Sequence, residues 1–235
     1  RYYVKAYNAT KKETAKYQNK ETDEILTYYK LLGVKTLGAD NVYINGSRNK
    51  FMDSYLDSMI SDTKVGTGLP PCTAVDKSED TDLNGKSLVT SRLRDTDVET
   101  LSIKDNKNGT VTLTIKPKAV QMSSPGADAQ GRFFSTLGPM YDTFDQMLKQ
   151  NGGKWTTGNA KKNLHMNYTG GTGTITINTS SGKITKATYN MKVNVDVQHV
   201  TISGMKDQRV QLRVIVKDTF PMSQELFDSS NLERL

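Results

Sequence analysis

Between residues 187 and 197 the chain alternates apolar and polar side chains without a fault. Ala187, Tyr189, Met191, Val193, Val195 and Val197 fall on one side, and Thr, Asn, Lys and Asp residues on the other. A period of two over that distance is a strand with one buried face, because successive side chains of a strand point to opposite faces. Val210, Leu212, Val214 and Val216 repeat the pattern, so 183–202 and 207–217 read as an antiparallel pair. The first of these would span roughly 60 Å at ~3.3 Å per residue. Strands of that length twist and coil around something.

Other segments follow the same period. Leu101 and Ile103 alternate, as do Val111, Leu113 and Ile115. Between them Asp105-Asn106-Lys107-Asn108-Gly109 is a hairpin turn. Residues 87–94 are expected to add a third strand to this group. Residues 172–178, closed by Ser180-Ser181-Gly182, precede the long pair.

Helical spacing appears in three places. Ile25, Leu26, Tyr29 and Leu32, with Gly33 as a C-terminal cap, predict a helix ending at 33, and Tyr3, Ala6, Tyr7 and Thr10 an earlier stretch of the same kind. Phe51, Met52, Tyr55, Leu56, Met59 and Ile60 predict a helix near 49–62. Phe133, Phe134, Leu137, Met140, Tyr141, Phe144, Met147 and Leu148 predict a longer one over 131–150, stopped by Asn151-Gly152-Gly153. Residues 34–49, 63–86 and 121–131 read as loops and connectors.

The order helix, hairpin sheet, helix, hairpin sheet makes the fold class α+β, with long twisted antiparallel sheet wrapped around amphipathic helices. It admits two related halves, although no sequence identity between them is evident. Residues 1–120 hold the N-terminal helices and a β-hairpin sheet. Residues 121–235 hold the long helix and the antiparallel strands. The two are expected to form one continuous body, which 235 residues allow.

Charge and rare residues narrow the function. The formal charge is +7, with 19 basic and 16 acidic side chains in residues 1–118 and 13 and 9 in residues 119–235. Such an even spread differs from the basic stripe of a nucleic-acid binder, so no nucleic-acid partner is expected. Loose attraction to an anionic cell envelope fits it equally well. The single cysteine, Cys72, excludes an internal disulfide and reads as a small hydrophobe. The histidines His165 and His199 have no zinc spacing, and His199 continues the apolar face of 187–197. No run approaches the ~18 apolar residues of a membrane helix. The chain begins at Arg1 and reads as processed, with any signal peptide or lipid anchor lying upstream. Strands rich in Thr, Asn and Ser, such as Thr110-Val111-Thr112-Leu113-Thr114, point to an exported bacterial protein, extracellular or at the cell surface.

Candidate chemistry is sparse. Asp80-Thr81-Asp82-Leu83-Asn84-Gly85 matches the first half of a calcium loop, with Asp80, Asp82 and Asn84 as oxygen donors. The twelfth position of such a loop is Ser91 rather than an acid, and a solvated acidic turn is the competing reading. Gly85-Lys86-Ser87 lacks the first glycine of a phosphate loop. There is no Gly-x-Ser-x-Gly nucleophile elbow and no positive sign of paired carboxylates, so an enzyme is not expected. Trp155 has a partly buried packing role as its default. Apart from calcium, no cofactor is implied.

The Met-rich stripes admit a sharper reading than gap-filling: a soft lining for a hydrophobic ligand. In arrangement, the helix 131–150 and the strands 183–202 and 207–217 resemble the tubular lipid-binding superfamily, a long amphipathic helix wrapped by a curved antiparallel sheet around a lipid tunnel. The turn and strand Ser181-Gly182-Lys183-Ile184-Thr185-Lys186-Ala187-Thr188-Tyr189 looks like those of secreted proteins from gut-type Firmicutes. The resemblance covers about residues 85–220 and carries no diagnostic motif; a half-barrel lipoprotein carrier of the LolA type shows nearly the same pattern. Both imply a lipid or other hydrophobic small molecule as partner. The expected lining is Phe133, Leu137, Met140, Tyr141, Phe144 and Met147 from the helix and Tyr189, Met191, Val193 and Val195 from the sheet. The alternative is a structural or adhesive surface module with a packed core and no small ligand, stabilised by calcium at Asp80–Gly85.

Overall fold

The computed structural model describes residues 1–71, 91–202 and 204–235. In chain order the elements are α1 (Tyr2–Lys11), β1 (Thr14–Asn19), β2 (Ile25–Tyr29), β3 (Gly33–Ile44), β4 (Ser47–Arg48), α2 (Lys50–Ile60), β5 (Asp62–Thr67), β6 (Val98–Asp105), β7 (Thr110–Pro117), β8 (Val120–Gln121), α3 (Tyr141–Gln150), β9 (Lys154–Trp155), α4 (Ala160–Asn163), β10 (Leu164–Tyr168), β11 (Thr172–Asn178), β12 (Ile184–Ile202), β13 (Met205–Phe220), α5 (Gln224–Asp228) and β14 (Leu232–Arg234). The fold is a sheet-dominated α+β arrangement, mostly antiparallel.

The long alternating pair is its spine. β12 and β13 run antiparallel with Met191 opposite Val216, Val193 opposite Val214 and Val195 opposite Leu212. The main sheet follows the order β4-β3-β13-β12-β11-β7-β6. The free side of β12 is shared in turn by β11, β10 and β9, while β3 on the far side of β13 also pairs with β5. Strands from both halves of the chain therefore lie in one sheet, and the 120/121 division falls inside β8. A second, three-stranded sheet, β14-β1-β2, carries its own small core of Tyr17, Tyr29, Leu32, Val34 and Met222.

The hairpins form where the turn chemistry places them. At the β6–β7 turn the Asp105 carboxylate accepts the Lys107 backbone N–H at 2.8 Å, and Lys107 and Gly109 take left-handed conformations. At the β11–β12 turn the Asn178 side chain accepts the N–H groups of Ser180 and Ser181, at 3.0 and 2.9 Å.

Several expectations need correction. Ile25–Tyr29 is a strand, not a helix. Asn19 caps a tight turn by accepting the Glu21 N–H at 2.9 Å, and the cross-strand pairing of Tyr17 with Leu26 overrides the helical spacing. Residues 34–49 are not a loop: they contain β3, which lacks clean alternation because both of its faces are partly covered. Residues 63–67, expected within the 63–86 connector, belong to β5. The third strand expected at 87–94 is absent over 91–94; residues 87–90 lie outside the described part.

The helix expected over 131–150 is confined to α3. Gly138, in a left-handed conformation, and Pro139 end any helix before Tyr141. Phe133 and Phe134 lie instead in an irregular segment held by Asp128. Its carboxylate accepts the Ser123 hydroxyl at 2.7 Å and the N–H groups of Ser124 and Gly131, both at 2.9 Å. His199 is not on the apolar face. A bulge between Val197 and Val200 shifts the phase of β12, so Val200 is buried and His199 turns outward to Asp207, Nδ1 to Oδ1 2.7 Å.

Candidate ligand-binding face

The ten expected lining residues divide into a closed set and an open set. Phe133, Tyr189, Met191, Val193 and Val195 are buried in the continuous core. The Phe133 ring lies 5.3 Å from Tyr189 and 5.5 Å from Tyr3 on α1, and Tyr189 meets Phe220 edge-on. Phe133 fits because β11 carries a glycine beneath it: a Cβ on Gly173 would lie 2.4 Å from Phe133 Cζ. The Tyr3 and Tyr189 hydroxyls pair at 3.0 Å, and burial pushes both phenols upward. Through Tyr3, α1 covers this end of the sheet, so Phe133 and Tyr189 are as much an α1 contact as a contact of 131–150.

The open set lies along α3. Leu148 is the buried anchor, and the turn after it folds so closely that a Cβ on Gly153 would meet Leu148 Cδ1 at 2.4 Å. Trp155 on β9 holds the same helix from the side. Its indole N–H donates to the Asp145 carboxylate at 2.8 Å, and its ring lies 6.0 Å from Phe144. Upstream, the buried Tyr168 hydroxyl accepts the Leu137 N–H at 3.2 Å; burial pushes that phenol up to about 12. Between these anchors Met140, Tyr141 and Phe144 are only half-buried, and Leu137 and Met147 are 36% and 41% exposed. Tyr141 and Phe144 still touch the main core along one side, so the exposed part of the stripe is Leu137 and Met147.

A buried charged group escaped the sequence reading. Asp218 on β13 is 3% exposed, on the core face between Tyr189 of β12 and Lys35 of β3. Burial pushes its carboxyl up to about 6, against the opposing pull of Lys35 and Lys11. Lys35 Nζ is 3.7 Å away, and Oδ1 has no hydrogen-bond partner. Lys11, also buried, donates to the Leu69 carbonyl at 2.8 Å and lies over the Tyr29 ring. The signal was available: position 218 continues the alternation of 210–216, and position 11 lies one turn beyond Tyr7. A second buried pair joins Arg132 to Asp97 through two bonds of 2.7 and 2.6 Å. Burial raises the Asp97 carboxyl, but the guanidinium and the Arg94 N–H outweigh it and hold it below the ordinary range.

Asp80, Asp82 and Asn84, the expected calcium ligands, lie outside the described residues, as does Cys72. Among the described residues, no group of three His, Cys, Asp or Glu side chains could hold a metal ion. His165 is exposed on β10. No helix among the described residues is long and apolar enough to cross a membrane. No family model, curated protein or solved structure matches the chain.

Proposed function

We propose that this protein is a non-enzymatic binder of a lipid-like hydrophobic ligand, working outside the cell or at its surface. The ligand would lie along α3, beside Trp155 of β9 and the adjoining α4. The observation that carries this reading is the uneven burial of the 133–148 stripe. Its first two aromatics and Leu148 are buried, Met140, Tyr141 and Phe144 are half-buried, and Leu137 and Met147 are exposed. Flexible methionines and two aromatic rings suit an apolar guest of variable shape. The tubular lipid-binding resemblance implies a sheet wrapped around the helix with the guest between them. Asp145 and Trp155 would position the helix, and Leu148 would act as the fixed edge from which it tilts.

The size of the guest follows from affinity. Micromolar binding needs about 8 kcal/mol. At ~0.8 kcal/mol per buried methylene, that takes roughly ten methylenes before any ordering cost. A long acyl chain fits this requirement; a short-chain acid does not.

Organic extraction of the purified protein, followed by mass spectrometry, tests the proposal. A stoichiometric lipid is expected. An empty extract from a protein that also fails to bind a fluorescent long-chain fatty acid would overturn it. That result would favour a packed structural or adhesive module, a reading supported by the tight fit of Phe133 over Gly173.

A further inference from the structure

α2 departs from the usual amphipathic arrangement on its solvent side. Its acids point inward. Asp57 accepts the Ala39 N–H at 2.8 Å, and Asp53 accepts the Val42 N–H at 2.6 Å. These are backbone groups of β3 on either side of Asn41, whose φ is +56°. Gly38 allows this approach, since a Cβ there would already lie 3.0 Å from the Asp57 carboxylate. Arg48 closes the arrangement by bonding both Asp53 and Asn41. Met52, Leu56 and Ile60 pack against the main core.

With both acids engaged, the outward row of the helix is Lys50, Phe51, Ser54, Tyr55 and Ser58. Phe51 is 78% exposed and Tyr55 48%, one turn apart on the same ridge. A charged group could occupy these positions at no structural cost, so two aromatics beside a lysine need a reason outside the chain. The row contains no acid, and the protein carries +7 overall.

We propose that this ridge docks the protein on an anionic bilayer surface. Phe51 and Tyr55 would enter the headgroup–acyl boundary, where aromatic side chains are favoured. Lys50 would lie at the level of the lipid phosphates. The inward turn of Asp53 and Asp57 favours an anionic surface over a protein partner: it removes the helix's negative charge from the side where an anionic surface would repel it. This surface is separate from the α3 site, and the two proposals stand or fall apart.

The test is co-sedimentation of the full chain with phosphatidylcholine vesicles, with and without about one-third phosphatidylglycerol. Binding is expected only to the anionic vesicles and should weaken with added salt. F51A/Y55A should lower it about tenfold or more, because most of the inserted apolar area is lost. I103A, which removes an exposed apolar side chain on β6 instead, should leave it unchanged. Failure to bind the anionic vesicles would overturn the proposal, as would binding that F51A/Y55A leaves intact. Concentration-dependent self-association abolished by F51A/Y55A would also overturn it, by assigning the ridge to a second copy of the chain.

Discussion

Replacing Asp218 with asparagine should stabilise this protein at neutral pH and flatten its pH dependence. The carboxyl rises from an ordinary 3.8 to about 6 on folding, through burial that Lys35 and Lys11 only partly offset. Between those values the native state holds a proton that the unfolded state has released. Stability therefore falls as pH rises from about 4 to about 6 and stays lower above that. At 1.36 kcal/mol per unit, the shift amounts to about 3 kcal/mol, a large part of the ordinary stability of a domain. The amide of the Asp218→Asn variant keeps the shape and cannot ionise, so the variant should gain most of that amount at pH 7.5 and almost nothing at pH 4. Glu13, Asp53, Asp97, Asp105 and Asp196 have lowered values, so their contributions are lost as pH falls below about 5; both proteins share them, and they cancel in the difference between the two curves. Urea unfolding of both proteins at intervals from pH 4 to pH 8 would measure the difference directly. Parallel curves across that range would refute the claim that Asp218 is ionised at a cost in the folded protein.

Three further outcomes are expected. Gly173→Ala should destabilise the protein by about 1–3 kcal/mol, since Phe133 must move to admit the methyl group; denaturant midpoints would show it. Arg132→Met should cost about 3–5 kcal/mol by leaving the buried Asp97 carboxylate unpaired, and Asp97→Asn in the same background should recover part of the loss. Phe144→Ala should weaken binding of a fluorescent fatty acid while shifting the unfolding midpoint little. A large stability loss with binding unchanged would move Phe144 from the ligand face to the core.

The sequence was most legible where one physical pattern acts alone. β7, β11, β12 and β13 have one buried face, and with the explicit turn residues they appear where the alternation places them; β6 is placed by its turn and its pairing with β7, while Leu101 and Ile103 stay exposed. Legibility failed where two patterns competed. Ile25, Leu26 and Tyr29 satisfy helical spacing, yet pairing with β1 decides their conformation. The stripe from Phe133 to Leu148 is continuous in composition and broken in backbone. Gly138-Pro139 at its centre was the informative feature, and the apolar count concealed it. Phe133 and Tyr189 were readable as apolar, but not as belonging to a packed contact with α1, because Tyr3 and Tyr189 lie far apart in the chain. Asp218 was missed for a related reason: its burial comes from neighbouring strands, and only the phase of the alternation pointed to it.

The order of strands also governs when the molecule can exist. β3 joins the main sheet through β13, and Tyr17 on β1 pairs with Arg234 on β14. A chain emerging in order from a ribosome cannot complete either sheet until residues 205–234 are free. Non-local pairing of this kind folds slowly and leaves strand edges waiting. Until then β1, β2 and β3 can form only their local contacts, and their unpaired edges stay open to chaperones. Resistance to proteases should therefore arrive late and all at once, when β13 and β14 emerge.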